Sequence, residues 1–157
     1  LVNVIDAPLD GSGLHIGVVA GRFNDFVSTS LVAGTRARLT ALGVADDDIH
    51  LAWVAGAFEV PLAARAMAES GRYDAVVCLG AVIRGETPHF DYVAGEAAAG
   101  IMRTGHDTGV PVVFGVLTTD TVEQAMERAD VDRGDKGADC ADAAVEMARL
   151  LRAIGGG

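Results

Sequence analysis

Six consecutive residues, Arg84-Gly85-Glu86-Thr87-Pro88-His89, bring a cation, a permissive backbone, a hydroxyl and an imidazole into one short stretch. Thr87 before Pro88 has the form of an N-cap followed by proline at the first helical position, which predicts a helix start with His89 held in its first turn. Imidazole is the side chain whose ordinary pKa lies nearest neutrality, so a fixed His89 suits proton transfer at working pH. Successive N–H groups of Gly85, Glu86 and Thr87 at the same helix start suit an anion, phosphate above all, without any lysine. The plainer alternative, that His89 only caps or packs, stands beside this one.

Other candidates are scattered along the chain. Arg128 ends a short helical stretch, where a guanidinium can meet a phosphate or simply favour the helix dipole. Phe23 could stack on a flat heterocycle and Phe114 could wall a pocket, although aromatics in such places also serve as core. His15, His50 and His106 fall on two strands and a helix end, and read as structural, while Trp53 is expected in the core. The acidic run at residues 46–48 precedes a strand, at the end of the sheet away from the expected site, and reads as a solvated turn. Cys78 lies in an apolar run and Cys140 in a helical pattern, without metal-type spacing, so both read as buried reduced thiols. No GxxxxGK[ST], GxGxxG after the first strand, HExxH or CxxC occurs, which removes support for ATP, dinucleotide and zinc chemistry. A phosphoacceptor receiver would need acidic residues after the first strand, where this chain has Arg22 and Phe23.

The elements that must position these residues alternate. Apolar runs at residues 14–20 (LHIGVVA), 49–55 (IHLAWVA), 75–83 (AVVCLGAVI) and 111–117 (PVVFGVL) predict four strands. Helical spacing is expected over residues 25–42, stopped by Gly43, and over 58–70, 90–106, 122–128 and 138–153. Short apolar strands separated by helices imply right-handed crossovers and a parallel sheet covered on both faces, a three-layer α/β/α sandwich. Ligands of such sheets bind beyond the carboxyl ends of the strands, so residues 21–24, 56–59 and 84–89 should converge on one edge. Residues 1–13, with Pro8, Gly11 and Gly13, read as an extended arm or as disorder, and residues 155–157 as a frayed tail.

A chain of 157 residues suits one domain, spanning residues 1–157. Half of its residues are hydrophobic and its mean hydropathy is +0.32, high for a small domain, which points to apolar surface buried between subunits. No apolar run is long enough for a membrane span. Net charge −10 with only 12 Lys and Arg argues against nucleic acid. The chain as given opens without a signal-peptide pattern, so the cytoplasm is the expected location.

GRFNDF from Gly21, GAFEVP from Gly56 and GAVIRGETPHFDYV from Gly80 together resemble the lumazine synthase family. GVPVVFGVLTT from Gly109, EQAMERA from Glu123 and DKGADCADAAVEMA from Asp135 continue the resemblance, in order and at family spacing, over nearly the whole chain from Leu14. The chain departs from the family at Ala55, where proline is usual, a change that removes no functional group. The resemblance implies a flavodoxin-like fold with a four-stranded parallel sheet. It implies condensation of 5-amino-6-(D-ribitylamino)uracil with 3,4-dihydroxy-2-butanone 4-phosphate to 6,7-dimethyl-8-ribityllumazine, the penultimate step of riboflavin biosynthesis, with no cofactor or metal.

By the same resemblance, Phe23 stacks on the pyrimidine, and Ala57, Phe58 and Glu59 hold its ribityl side. Ala81, Val82 and Ile83 meet the pyrimidine edge through their backbone, and Phe114 comes from an adjacent subunit. Gly85, Glu86 and Thr87 bind phosphate with Arg128, His89 carries the proton, and Lys136 lies close by. The family forms pentamers with sites between subunits, which in some members close into a 60-subunit icosahedral shell, and riboflavin synthase is an implied partner. The uninterrupted turn at residues 130–135 leans towards a shell. Two rivals remain at this stage: a binding module that has kept the pocket without catalysis, and a purely structural shell protein.

Overall fold

The computed structural model describes residues 1–156. Gly157, assigned to the frayed tail by sequence, lies outside the described residues. Its regular elements are β1 (Ile16–Gly21), α1 (Asp25–Ala41), β2 (Ile49–Val54), α2 (Val60–Glu69), β3 (Ala75–Ile83), α3 (His89–Thr108), β4 (Val112–Thr119), α4 (Val122–Ala129) and α5 (Lys136–Ile154). Short 3-10 turns at Asp46–Asp48 and Ala57–Glu59 flank β2. The four strands are parallel in the order β2-β1-β3-β4, the doubly wound, flavodoxin-like arrangement expected from sequence. Each observed element coincides with an expected one to within a few residues.

Strand alternation explains why both faces of the sheet are covered. Ile16, Val18, Ala20, Val77 and Leu79 pack on one face with Leu31 and Leu39 of α1 and Ala141, Ala144 and Val145 of α5. Val19, Val76, Cys78 and Val116 pack on the other with Val60 and Ala64 of α2 and Ala97 and Ile101 of α3. Val76, Val77 and Leu79 are fully buried, and each such side chain contributes roughly 1.5–3 kcal/mol of burial free energy. β3 is therefore the most constrained segment, and its carboxyl end at Ile83 points the Arg84–His89 loop out of the sheet.

Two details differ from the sequence reading. Trp53 is not a core residue: it is 37% exposed, because β2 is an edge strand and helix α1 covers that face only in part. Helix α3 begins at His89, one residue later than the cap pattern predicts, with Pro88 at the cap position and no side-chain cap bond. Thr87 Oγ1 instead accepts a long bond from the His89 N–H, 3.4 Å. His89 still occupies the first turn. Residues 46–48 do form an exposed turn at the amino edge, where Arg36 Nε donates to Asp46 at 2.8 Å. The arm has no regular element, and its inner end is tied down by Arg149, which donates to the carbonyls of Asp10 and Ser12, both at 2.7 Å. At the other terminus, Gly155 and Gly156 donate to carbonyls of the last turn of α5.

Helices α1 and α5 approach closely where Gly137 faces α1. Thr35 Oγ1 donates to the Gly137 carbonyl at 3.0 Å, and a Cβ on Gly137 would lie 2.3 Å from the Leu31 carbonyl oxygen. Backbone cannot yield there as a flexible side chain would. Gly137→Ala is expected to cost about 3 kcal/mol, read by denaturant unfolding, since overpacking a tight contact typically costs 1–3 kcal/mol or more. A loss below about 0.5 kcal/mol would show that the two helices can slide apart freely.

Candidate functional site

Three strand-to-helix loops meet at the carboxyl edge of the sheet. After Gly21 the chain stays tied to β2, as the N–H groups of Arg22 and Phe23 donate to the Val54 and Ala55 carbonyls at 2.8 and 2.9 Å. The two loops touch so closely that a Cβ on Gly21 would lie 3.1 Å from the Gly56 carbonyl carbon. Asn24 then turns the chain into α1 with a left-handed φ of 65°. The 3-10 turn at Ala57–Glu59 starts the second loop, and residues 84–88 form the third. Between them lies a crevice of about 630 Å³.

The crevice gathers Phe23, Ala57, Phe58, Glu59, Ala81, Val82, Ile83, Gly85, Thr87 and His89 from the sequence-derived set. Phe23 is 74% exposed, with its ring free to receive a flat ligand. Among the described residues, the N–H groups of Gly85, Glu86 and Thr87 have no hydrogen-bond acceptor. They stand before the N-terminus of the 20-residue helix α3, where the dipole favours an anion. Glu86 is exposed in that loop without lining the crevice. The arrangement can hold an aromatic ring and an anion side by side near one imidazole.

Phe114, Arg128 and Lys136 stand apart from this group. They share a second crevice of about 400 Å³ at the β4 edge, with Thr118, Thr119 and Asp139. Phe114 is 43% exposed there, since β4 is the other edge strand. One Arg128 N–H donates to the Gln124 carbonyl at 3.0 Å, the helix-end contact that sequence left open. The rest of its guanidinium has no partner among the described residues. Lys136 is the only lysine of the chain, and it opens α5 directly after the compact turn of residues 130–135.

Arg84 does not serve as a free cation. Its Nε donates to Asp120 at 2.9 Å, Asp91 lies 3.6 Å from Nη1, and the guanidinium sits 4.3 Å from the Phe90 ring centroid. The hydrogen bond to Asp120, helped by both carboxylates, raises its pKa further, so it is a fixed charge clamping the third loop to the β4–α4 turn. The sequence placed Asn24 on the right edge without a role and gave none to Ala55, Phe90, Tyr92 and Val93, all of which line the first crevice. Tyr92, 69% exposed, lies three residues after His89 on the same helix face, a spacing that could have identified it. His15 and His50 are engaged elsewhere, His15 beside Asp48 and Asp74 and His50 with the Tyr73 hydroxyl, in keeping with structural roles.

Among the described residues, no three His, Cys, Asp or Glu side chains form a metal-ligand group, and no helix is long and apolar enough to cross a membrane. The sequence model of one protein family, described as 6,7-dimethyl-8-ribityllumazine synthase, matches residues 13–152.

Neither thiol takes part in either crevice. Burial pushes the Cys78 thiol up to about 12 and the Cys140 thiol up to about 11, the latter against a smaller lowering by the Lys136 charge and with a small addition from Asp139. At pH 7 that leaves thiolate fractions on the order of 10⁻⁵ and 10⁻⁴. The folded state thus favours the neutral thiols; this stabilisation is complete below the ordinary value of 9.0 and is lost as pH rises towards 11 and 12. Both cysteines are expected to resist a thiol-exchange reagent at pH 7 in the native protein and to react at once in denaturant. Rapid native labelling would show that the core opens around β3 and α5.

Proposed function

The chain belongs to the 6,7-dimethyl-8-ribityllumazine synthase family, a family of transferases, and on that basis we propose that it condenses 5-amino-6-(D-ribitylamino)uracil with 3,4-dihydroxy-2-butanone 4-phosphate. The products are 6,7-dimethyl-8-ribityllumazine, phosphate and water. The observation that carries this reading is the pairing of an exposed aromatic ring with an unpartnered N–H loop and an imidazole around one crevice. A planar diamine and a phosphate ester need those three things together.

In this reading Phe23 stacks on the pyrimidine, backbone groups of Ala81, Val82 and Ile83 meet its edge, and Ala57, Phe58 and Glu59 hold the ribityl chain. Gly85, Glu86 and Thr87 cradle the phosphate. The 5-amino nitrogen attacks the ketone and water leaves as the imine forms. Phosphate then departs with the electrons of its C–O bond, and a proton must be taken from the neighbouring carbon. His89 is placed to carry it. The resulting enol moves its hydroxyl proton to the terminal carbon and becomes a methyl ketone, on which the ribitylamino nitrogen closes the second ring with loss of water. Holding two reactants in line supplies most of the acceleration, while proton transfer by His89 adds on the order of 10²-fold.

Phe114, Arg128 and Lys136 complete the site from a neighbouring subunit. On one chain they occupy a separate crevice on the β4 edge, so a ring of subunits can bring one chain's second crevice against the next chain's first. Arg128 then neutralises the phosphate with a planar fork of donors, and Lys136 adds a second cation. A cytoplasmic pentamer is the proposed unit. The compact turn at residues 130–135 favours further closure into a 60-subunit shell, with riboflavin synthase as a candidate partner.

Mixing the protein with both substrates is expected to generate lumazine fluorescence. His89→Ala should lower turnover about 10²-fold. Arg128→Ala should raise the half-saturating concentration of the ketose phosphate by about tenfold or more. At ketose phosphate concentrations well below half-saturation, where each variant alone is slow, subunits of the two variants dissociated and reassembled together should recover about a quarter of the parent activity, because a random ring pairs an intact His89 with an intact neighbouring Arg128 at that frequency. No recovery in well-formed mixed oligomers would mean that the site is not shared. A parent without lumazine production would end the enzymatic reading.

A further inference from the structure

Asn24 gives up two favourable local arrangements at once. Its backbone is left-handed, φ 65° and ψ 45°, a region that non-glycine residues enter at a steric cost, though asparagine more readily than most. It also stands at the N-cap position of α1, where an asparagine side chain ordinarily accepts from the first free N–H groups, yet no such cap bond is made. The carboxamide instead reaches across the crevice, and Nδ2 donates to the Ala81 carbonyl of β3 at 3.2 Å. Such strain persists where the surroundings over-determine a conformation, and it concentrates at sites that need a fixed geometry.

The neighbouring residue shows what is being fixed. Phe23 projects into solvent and has little packing of its own to hold it. Its position comes from the backbone on either side: the Arg22 and Phe23 N–H groups anchor it to β2, and the Asn24 carboxamide anchors it to β3. We propose that Asn24 is a positioning residue that sets the gap between the Phe23 ring and the carboxyl end of β3, and hence the width of the slot that receives the flat heterocycle. This rests on the reading above in which Phe23 stacks on the pyrimidine and residues 81–83 meet its edge.

Asn24→Asp isolates the bridge from the helix start. Aspartate tolerates the left-handed backbone, caps a helix as well as asparagine and is favoured by the dipole, so thermal stability should hold. It has no N–H to offer the Ala81 carbonyl. The KM for the pyrimidine is expected to rise about tenfold, while the KM for the ketose phosphate stays within about twofold. Asn24→Gly, which relieves the backbone cost and also lacks the amide, should shift the pyrimidine KM in the same direction. A residue that merely starts α1 would leave the Asp variant with the parent's KM, and that result overturns the proposal.

Hydrogen exchange of the Arg22 and Phe23 amides in the assembled protein reads the same bridge without turnover. Faster exchange in the Asp variant is expected, and exchange at the parent rate overturns the proposal even if the parent makes no lumazine. Faster exchange in the Asp variant, together with a parent that makes no lumazine, would sink the proposed reaction and leave the positioning role in place.

Discussion

The parallel pairing of β1 with β3, Ile16 opposite Ala75 and Ala20 opposite Leu79, is the constraint on which the rest of the molecule depends. Parallel strands end on the same edge, so every loop that follows a strand is delivered to one side. β3 lies between β1 and β4, apolar and buried along nearly its whole length on both faces of the sheet. Phe23, Phe58 and His89 follow three different strands, and they meet because the sheet leaves their loops nowhere else to go.

The same sheet order separates the remaining candidate residues. β4 is an edge, and Phe114 with Arg128 and Lys136 gathers around it, in a crevice distinct from that of Phe23. Exposed Phe23, Trp53, Phe58, Tyr92, Met102 and Phe114 leave considerable apolar surface on a lone chain. Soluble monomers seldom leave that much uncovered, and burying it between copies relieves the cost while bringing the two crevices together. Assembly and site completion would then be one event.

For a chain of net charge −10, the proposed binding of a phosphate ester has to be local. Most arginines are committed to carboxylates or carbonyls, Arg84 to Asp120 and Asp91, Arg36 to Asp46, Arg38 to Asp142 and Arg149 to the arm. The loop at residues 85–87 answers with backbone N–H groups and a helix dipole, which carry no net charge and are already oriented before a ligand arrives. Arg128 keeps most of its guanidinium available, and Lys136 has no carboxylate partner among the described residues.

Periodicity alone determined the four strands, the five helices and the edge on which the loops gather, because alternation of apolar residues reports directly which face each element buries. The motif from Gly80 to Val93 and its companions carried the family. Tertiary structure decided the rest. Trp53 looked like core because its neighbours are apolar, but burial at an edge strand depends on what lies beyond the edge, which no local window contains. Arg84 stands in the sequence simply as the cation that opens the loop, and its commitment to Asp120, distant in sequence, exists only in the fold. Asn24 was passed over because a left-handed turn and a bond to Ala81 exist only once β1 and β3 lie together. Local patterns encode the conformations that neighbours in sequence impose; partners brought together from far along the chain follow from packing, and only coordinates reveal them.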